Sequence, residues 1–394
     1  MPIKLGETAV SLSSAIVKVM LGDALVWPVT SGPVNYTISE IDSLEHDTAN
    51  GTYNAICMID ATHFILAYTG TDGDGFVKTF SIDANCDNIT EIDSLEHDTA
   101  DGTYNSLALI NSTHFALAYT GTSGDGFIKT FSVDANCDNI TLIDSLEHDT
   151  ADGTYNSLSL IDSTHLILAY TGTGSDGFVK TFGIDANCDN ITQVDFLEYE
   201  TSRGQYASLA MINSTHFAIA CLGNGLNGFV KTFSIDANSD NITLIDSLQH
   251  DTYTSISYGH FNSLAVLNSA HLVLAHAGTS TSKGLVKTFG IDANCDNIAL
   301  IDSLEHDATN GSDNSLVVID STHFILANAG ADTDGFIKTF SVDANCDNIT
   351  LIDSLEHDTS NGTFNSLAML DSTHFALGYT GTGSDGFVKT FSID

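Results

Sequence analysis

Three kinds of residue in this chain could do chemistry. The first are side-chain oxygens. Asp83-Ala-Asn85-Cys-Asp87-Asn places them at alternate positions, and Asp134-Ala-Asn136-Cys-Asp138-Asn repeats the arrangement. Such spacing opens a calcium loop, because a hard divalent cation collects carboxylates and amide carbonyls from one turn. Calcium is therefore the candidate cofactor, with Asp83, Asn85, Asp87, Asp134, Asn136 and Asp138 as its candidate ligands. The loop glycine and closing glutamate of an EF-hand are missing, and a plain Asn/Asp hairpin explains the segment equally well.

Histidines are the second kind. His46, His97, His148, His250, His306 and His357 each precede an aspartate, and Tyr199 takes the remaining place in the series. A second set, His63, His114, His165, His216, His271, His323 and His374, closes a short Asp/Asn turn. Imidazole can bind metal or carry protons. Six or seven equivalent copies argue for a structural duty, since a single reaction needs a single set of groups.

The third kind occurs once. Phe196 to Tyr206 holds Arg203, the only arginine, between Tyr199 and Tyr206. Asp251 to Phe261 holds a five-residue insertion with Tyr253, Tyr258 and His260. Aromatic faces and hydrogen-bonding groups on loops suit sugar or protein recognition. A guanidinium suits a carboxylated or sulfated sugar. Tyr199, Arg203, Tyr206, Tyr253, Tyr258 and His260 are thus the candidate ligand-binding residues. Drift in two loosely constrained repeats accounts for the same pattern. No unique acid–base cluster stands out, so no catalytic residue is assigned and a propeller glycosidase or lyase ranks third.

These residues ride on a repeat. Ile-Asp-Ser-Leu-Glu-His-Asp or a variant begins at Ile41, Ile92, Ile143, Val194, Ile245, Ile301 and Ile352, with five spacings of 51 residues and one of 56. Each period reads as four short strands. In the second, Tyr104–Asn111, Thr113–Thr120, Gly126–Asp134 and Ile140–Glu147 alternate apolar and polar residues between Asn, Asp and Gly turns. Seven such units predict an all-β, seven-bladed propeller over residues 35–394. The last unit lacks its fourth strand, and residues 34–48 supply it from the other end. The ring is therefore expected to close by exchange between termini. The loop histidines and the Gly-preceding aspartates Asp74, Asp125, Asp176, Asp334 and Asp385 resemble the His–Asp network of WD-repeat propellers, without the Trp-Asp dipeptide.

The charge narrows the partners. With 51 acidic and 11 basic residues the formal net charge is -40, which repels nucleic acid and anionic membrane. Seven of the basic residues are one repeated lysine, Lys78 to Lys389, expected to pack between blades against aspartates such as Asp42 and Asp93. Five of seven cysteines occupy equivalent turns, too far apart to bridge. Free thiols fit folding in a reducing cytosol. Lys18 and Asp23 interrupt the apolar run of residues 1–34, which argues against a secretion signal.

That N-terminal segment holds two Leu-Gly-acid-x-x-Val units, the second running into Trp27-Pro28. It resembles the Leu-Gly-x-x-x-Val-Trp-Pro leaders of tailed-bacteriophage virion proteins. The resemblance implies a non-enzymatic virion appendage or decoration protein, a tail- or head-fibre component. It would be assembled in a host cytoplasm and then extracellular. Residues 1–34 would anchor it to other virion proteins or its own copies through Leu5, Val10, Leu21, Val26 and Trp27, while the propeller meets a host-surface glycan or protein. A bacterial carbohydrate-binding or adhesive propeller at the cell surface is the alternative.

Overall fold

A computed structural model describes residues 17–21, 24–29, 35–252, 262–278 and 283–394. Seven four-stranded antiparallel sheets form a ring, a seven-bladed β-propeller. The second blade is representative: Thr103–Asn111, His114–Thr120, Gly126–Ser132 and Thr141–Asp149, from the central channel outward. The expected strands agree with these to within two residues. Val17–Leu21 and Ala24–Val29 pair as a separate hairpin. The anchor residues Leu5 and Val10, and the side chains of Leu21, Val26 and Trp27, lie outside the described residues.

The closure is as expected. Ile38–Asp47 pairs along Gly386–Ile393 as the outer strand of the last blade. Asn35 N–H also donates to the Asp394 carbonyl at 2.7 Å.

The second and third strands of each blade make the core. Phe115, Ala116, Leu117, Ala118 and Tyr119 are fully buried, as are Ile128 and Phe131. Both faces of these strands meet a neighbouring blade, so their sequence reads as a continuous apolar run. Burying a side chain of this size stabilises the fold by about 1.5–3 kcal/mol.

Repeated polar residues stitch one blade to the next. Each Ile-Asp phrase aspartate accepts a backbone N–H from the following blade, as Ile140 to Asp93 and Ile38 to Asp353, both 2.8 Å. Each Lys-Thr-Phe threonine donates to a turn carbonyl, as Thr130 to Cys188 at 2.6 Å. At the seam Tyr36 takes the place of that cysteine, receiving Thr339 at 2.7 Å. A serine of every inner strand but the first accepts from the next, as Leu158 N–H to Ser106 Oγ at 2.9 Å. Ala55 occupies the serine position in the first blade and offers no such acceptor.

The lysine expectation needs correction. Lys129 Nζ donates to the His97 carbonyl, 2.6 Å away, and lies 3.9 Å from Asp98. Asp42 and Asp93 are engaged instead with the backbone N–H groups of Ile89 and Ile140. The ammonium thus caps a strand end inside the ring by donating to the outgoing carbonyl.

The WD-like network does not form either. His46, His97, His148 and His357 are buried, and neither ring nitrogen has a hydrogen-bond partner. The His97 ring stands edge-on to Tyr119, 4.7 Å between centroids, and lies against Gly75. A Cβ at Gly126 would come within 2.5–2.6 Å of the next histidine, His148, and one at Gly153 within 2.3 Å of the Gly126 backbone. These Asp-Gly turns thus leave room for an imidazole and a second loop in one crowded place. Burial first, and then the neighbouring lysine, pushes the pKa of His46, His97, His148, His306 and His357 down to about 3. These rings are neutral packing groups.

Candidate functional site

Inner strands begin at the end of the ring where the Glu-His-Asp loops lie. Their second residue breaks the strand pattern. Tyr53, Tyr104, Tyr155, Tyr206, Asp313 and Phe364 all have φ between 49° and 56°. The pairing register shifts at this point, between Thr103 and Ser106 in the second blade. A left-handed residue at such a bulge re-aims its side chain. Here the side chains line the mouth of the central channel.

Five of these residues make a continuous aromatic arc. From Phe364 through Tyr53, Tyr104 and Tyr155 to Tyr206, neighbouring centroids are 4.4–4.6 Å apart and planes are tilted by 51–57°. The tilt matches the roughly 51° rotation between blades of a seven-fold ring. The four tyrosine hydroxyls interact in series, each with the next. Burial raises their pKa, to about 12 for Tyr104 and Tyr155, so they remain O–H donors across the physiological range.

Asp313 interrupts the arc. It occupies the tyrosine position of its blade and is half-buried beside its aromatic neighbours. Its carboxylate accepts from Phe364 N–H at 3.1 Å and from Ser312 Oγ at 3.0 Å. Burial raises its pKa, and those two donors oppose the rise. Below the collar an Asn and a Ser from most blades line the cavity. Asn105 Nδ2 donates to the Gly102 and Tyr53 carbonyls, at 3.0 and 3.2 Å. The cavity volume is about 280 Å³.

Arg203 lies in the loop just before Tyr206, half-buried, and its charge acts on the Tyr206 hydroxyl. It makes no ion pair among the described residues. The repeated lysines are committed inside the ring, and Lys283 pairs with Glu305 at 2.7 Å. Among the described residues, Arg203 is thus the cation left for a ligand near Tyr206.

Arg203 and Tyr206 therefore come together as two members of the expected recognition set. Tyr199 does not join them. It fills the buried histidine position, 6% exposed, packed edge-on against Phe233. Its ring is wider than imidazole, and Cys221 replaces the tyrosine that otherwise sits opposite. Tyr253, Tyr258 and His260 lie outside the described residues.

The calcium turns close on themselves. Asp83 Oδ1 accepts from Asn85 N–H at 2.8 Å and Asp87 N–H at 3.3 Å, and Oδ2 from Asn88 Nδ2 at 3.0 Å. The Asp83 and Asp87 carboxyls hydrogen-bond each other, which lowers one pKa and raises the other. Asp134 and Asp138 repeat this, so these turns hold their shape as an Asn/Asp hairpin does. Asn85 and Asn136 contribute N–H groups to it, at 2.8 and 2.9 Å from the leading aspartates.

Sequence reasoning missed Asp313. It looked for broken symmetry in loops, and this break lies on a strand. Reading position 313 against 53, 104, 155 and 206 shows one carboxylate among tyrosines.

No protein-family model matches the chain, and no curated protein matches it in sequence. Solved structures do. A periplasmic gluconolactonase of Pseudomonas aeruginosa is similar at 14% identity and TM-score 0.58, over 78% of this chain and 86% of that one. A Bacteroides fragilis protein named for 6-phosphogluconolactonase is similar at 15% and 0.59, over 82% and 89%. Sqt1 of Chaetomium thermophilum, solved with the N-terminus of a ribosomal protein, is similar at 15% and 0.56, over 86% and 85%. Identity this low establishes the fold alone. The expectation of a non-enzymatic virion appendage is corrected on this finding: the similar propellers include two named for lactonases.

Proposed function

We propose that the channel mouth binds a small sugar acid. The observation that carries this reading is Asp313 replacing a tyrosine in the hydroxyl collar; Arg203, near enough for its charge to act on the Tyr206 hydroxyl, adds to it. Sugars need many donors and acceptors at close range, and the collar supplies phenol hydroxyls, Asn and Ser around one cavity. A volume of about 280 Å³ falls just below the roughly 300–1,000 Å³ of ligand pockets, which favours a monosaccharide over a polymer. Arg203 pairs the ligand carboxylate. The surrounding acidic field is screened beyond about 8 Å at physiological salt, so the local guanidinium decides.

Titration calorimetry with D-glucuronate and with glucose tests the reading. Glucuronate should bind more tightly, Arg203→Ala should weaken it about tenfold, and Asp313→Asn should weaken both sugars. Equal binding of glucuronate by wild type and both variants would remove the site from the channel mouth.

A second reading follows from the raised pKa of Asp313. Two similar propellers are named for lactonases of gluconate type. For a sugar lactone, Asp313 would take a proton from water as its oxygen adds to the ring carbonyl. The ring C–O bond then breaks, and the leaving oxygen takes the proton back. The product would be the sugar acid that Arg203 holds. Proton release on adding gluconolactone, lost in Asp313→Asn, separates turnover from binding.

A further inference from the structure

At the opposite end of the ring, the second histidine set meets the cysteine turns. His63 Nδ1 lies 3.0 Å from the Asp60 carboxylate, and Asp60 also accepts from Thr62 N–H at 2.7 Å. By itself this is a turn device, repeated at His165, His323 and His374. Two places differ. Asp60, His63 and Cys137 bring a carboxylate oxygen, an imidazole nitrogen and a sulfur within 4.8 Å of one another, and Asp371, His374 and Cys86 do the same. In each set the cysteine comes from the blade after the one that supplies the Asp and His.

We propose that these two clusters are binding sites for a borderline-soft divalent cation of the zinc class. Nitrogen, sulfur and carboxylate oxygen are the ligands such a cation selects, at about 2.0–2.3 Å each. Three ligand atoms around one point leave a fourth, tetrahedral position for water. Cys137 and Cys86 are buried, 2% and 4% exposed, so the cation would be shielded on the thiol side. The cation replaces the thiol proton. The S–H bond breaks, a metal–sulfur bond forms, and the proton leaves to solvent.

The other five equivalents show what the pattern requires. Thr-to-turn hydrogen bonds identify each partner turn: Thr130 with Cys188, Thr181 with Ser239, Thr232 with Cys295, Thr288 with Cys346 and Thr339 with Tyr36. Asn111, Asn213 and Asn268 stand at the acid position for three of them, and Ser239 and Tyr36 at the thiol position for two. Each of these sets lacks one anionic ligand. The two complete sets both involve the first blade, which gives Cys86 to one and Asp60 and His63 to the other. Cations there would staple the closing blade, the first and the second together, next to the seam. A third grouping, His250 with Asp251 and His276, already holds a cation, since Lys287 Nζ is 3.3 Å from Asp251 and 3.4 Å from His250.

Titrating reduced, chelator-treated protein with Co²⁺ and then Zn²⁺ tests this. Two cobalt ions per chain should bind with thiolate-to-cobalt charge-transfer absorption, and zinc should displace both. Cys137→Ser and Cys86→Ser should each remove one. Ser239 already occupies that turn, so neither exchange should unfold the protein, and the melting temperature without metal checks it. Asn111→Asp completes a set with His114 and Cys188 and should raise the count to three. Cobalt uptake without a thiolate band, or a stoichiometry unmoved by the two serine variants, would overturn the proposal.

Discussion

The blades around Tyr68, Tyr119, Tyr170 and Tyr379 differ from the three that hold Cys221, His276 and Asn328 at the same position. In the first group the tyrosine hydroxyl donates to a carboxylate of the preceding outer strand, at 2.8–3.2 Å. The lysine of the same blade lies near that tyrosine ring, 4.8–5.7 Å from its centroid. In the second group the network is rebuilt. Glu200 replaces the aspartate and reaches Lys231 at 3.0 Å, while Tyr199 O–H has no partner. Asn328 is buried with both amide atoms unpaired. The difference teaches that regular blades repeat one tyrosine–carboxylate–lysine arrangement, whereas the irregular sector rebuilds it blade by blade and carries Arg203 and Asp313. A ring of equal blades offers only equal sites; a single ligand needs the unequal ones.

Acid should break the comparison most strongly. Five histidines with pKa near 3 in the fold take up protons near 6.5 once unfolded. The unfolded state therefore binds more protons between these values, and stability falls as pH drops through that window. Each histidine should cost about 1.4 kcal/mol per pH unit. Urea unfolding from pH 7 to pH 4 should show this slope. The pair His97→Tyr with Tyr119→Cys copies the Tyr199–Cys221 arrangement and should reduce the slope by one proton. An unchanged slope would mean that the rings are solvated.

Exchanges at the tyrosine position should move the two groups in opposite directions. Tyr119→Phe leaves Asp98 short of a donor and should destabilise by about 1–3 kcal/mol. Asn328→Tyr removes two unpaired atoms and restores a donor to Asp307, so it should stabilise by about 1–2 kcal/mol. Chemical denaturation of both variants checks the signs. If Asn328→Tyr destabilises, that sector is packed for asparagine and the contrast fails.

A smaller effect concerns the inner ring. Ala55→Ser supplies the missing acceptor between the first two blades and should add about 0.5–1.5 kcal/mol. No gain in denaturation midpoint would show that this stitch contributes nothing.

Blade number and closure were legible because the repeated Ile-Asp phrase is long and its spacing regular. The lysine's true partner was not, because side chain to carbonyl contacts between blades leave no spacing signal. Tyr199 looked like a loop aromatic, since sequence alone does not distinguish a buried imidazole position from an exposed one. Half of the collar was legible in principle: Tyr53, Tyr104 and Tyr155 recur in register, and Asp313 departs from them. What hid it was the left-handed bulge, which turns a strand residue into the channel and has no glycine to mark it. Arg203 stood out by its uniqueness, and its closeness to Tyr206 follows from three residues of separation.

The central claim is that Arg203 and Asp313 of the irregular sector decide ligand binding, while the regular blades supply the rest of the cavity wall. Hydrogen–deuterium exchange with and without saturating D-glucuronate tests it most directly, because the near-identical blades serve as internal controls. Protection should be strongest in residues 200–208 and 310–316 and clearly weaker in the matching stretches 99–106 and 150–157, whose Tyr, Asn and Ser line the same cavity. Equal protection in all blades, or none in the first two stretches, would contradict the account.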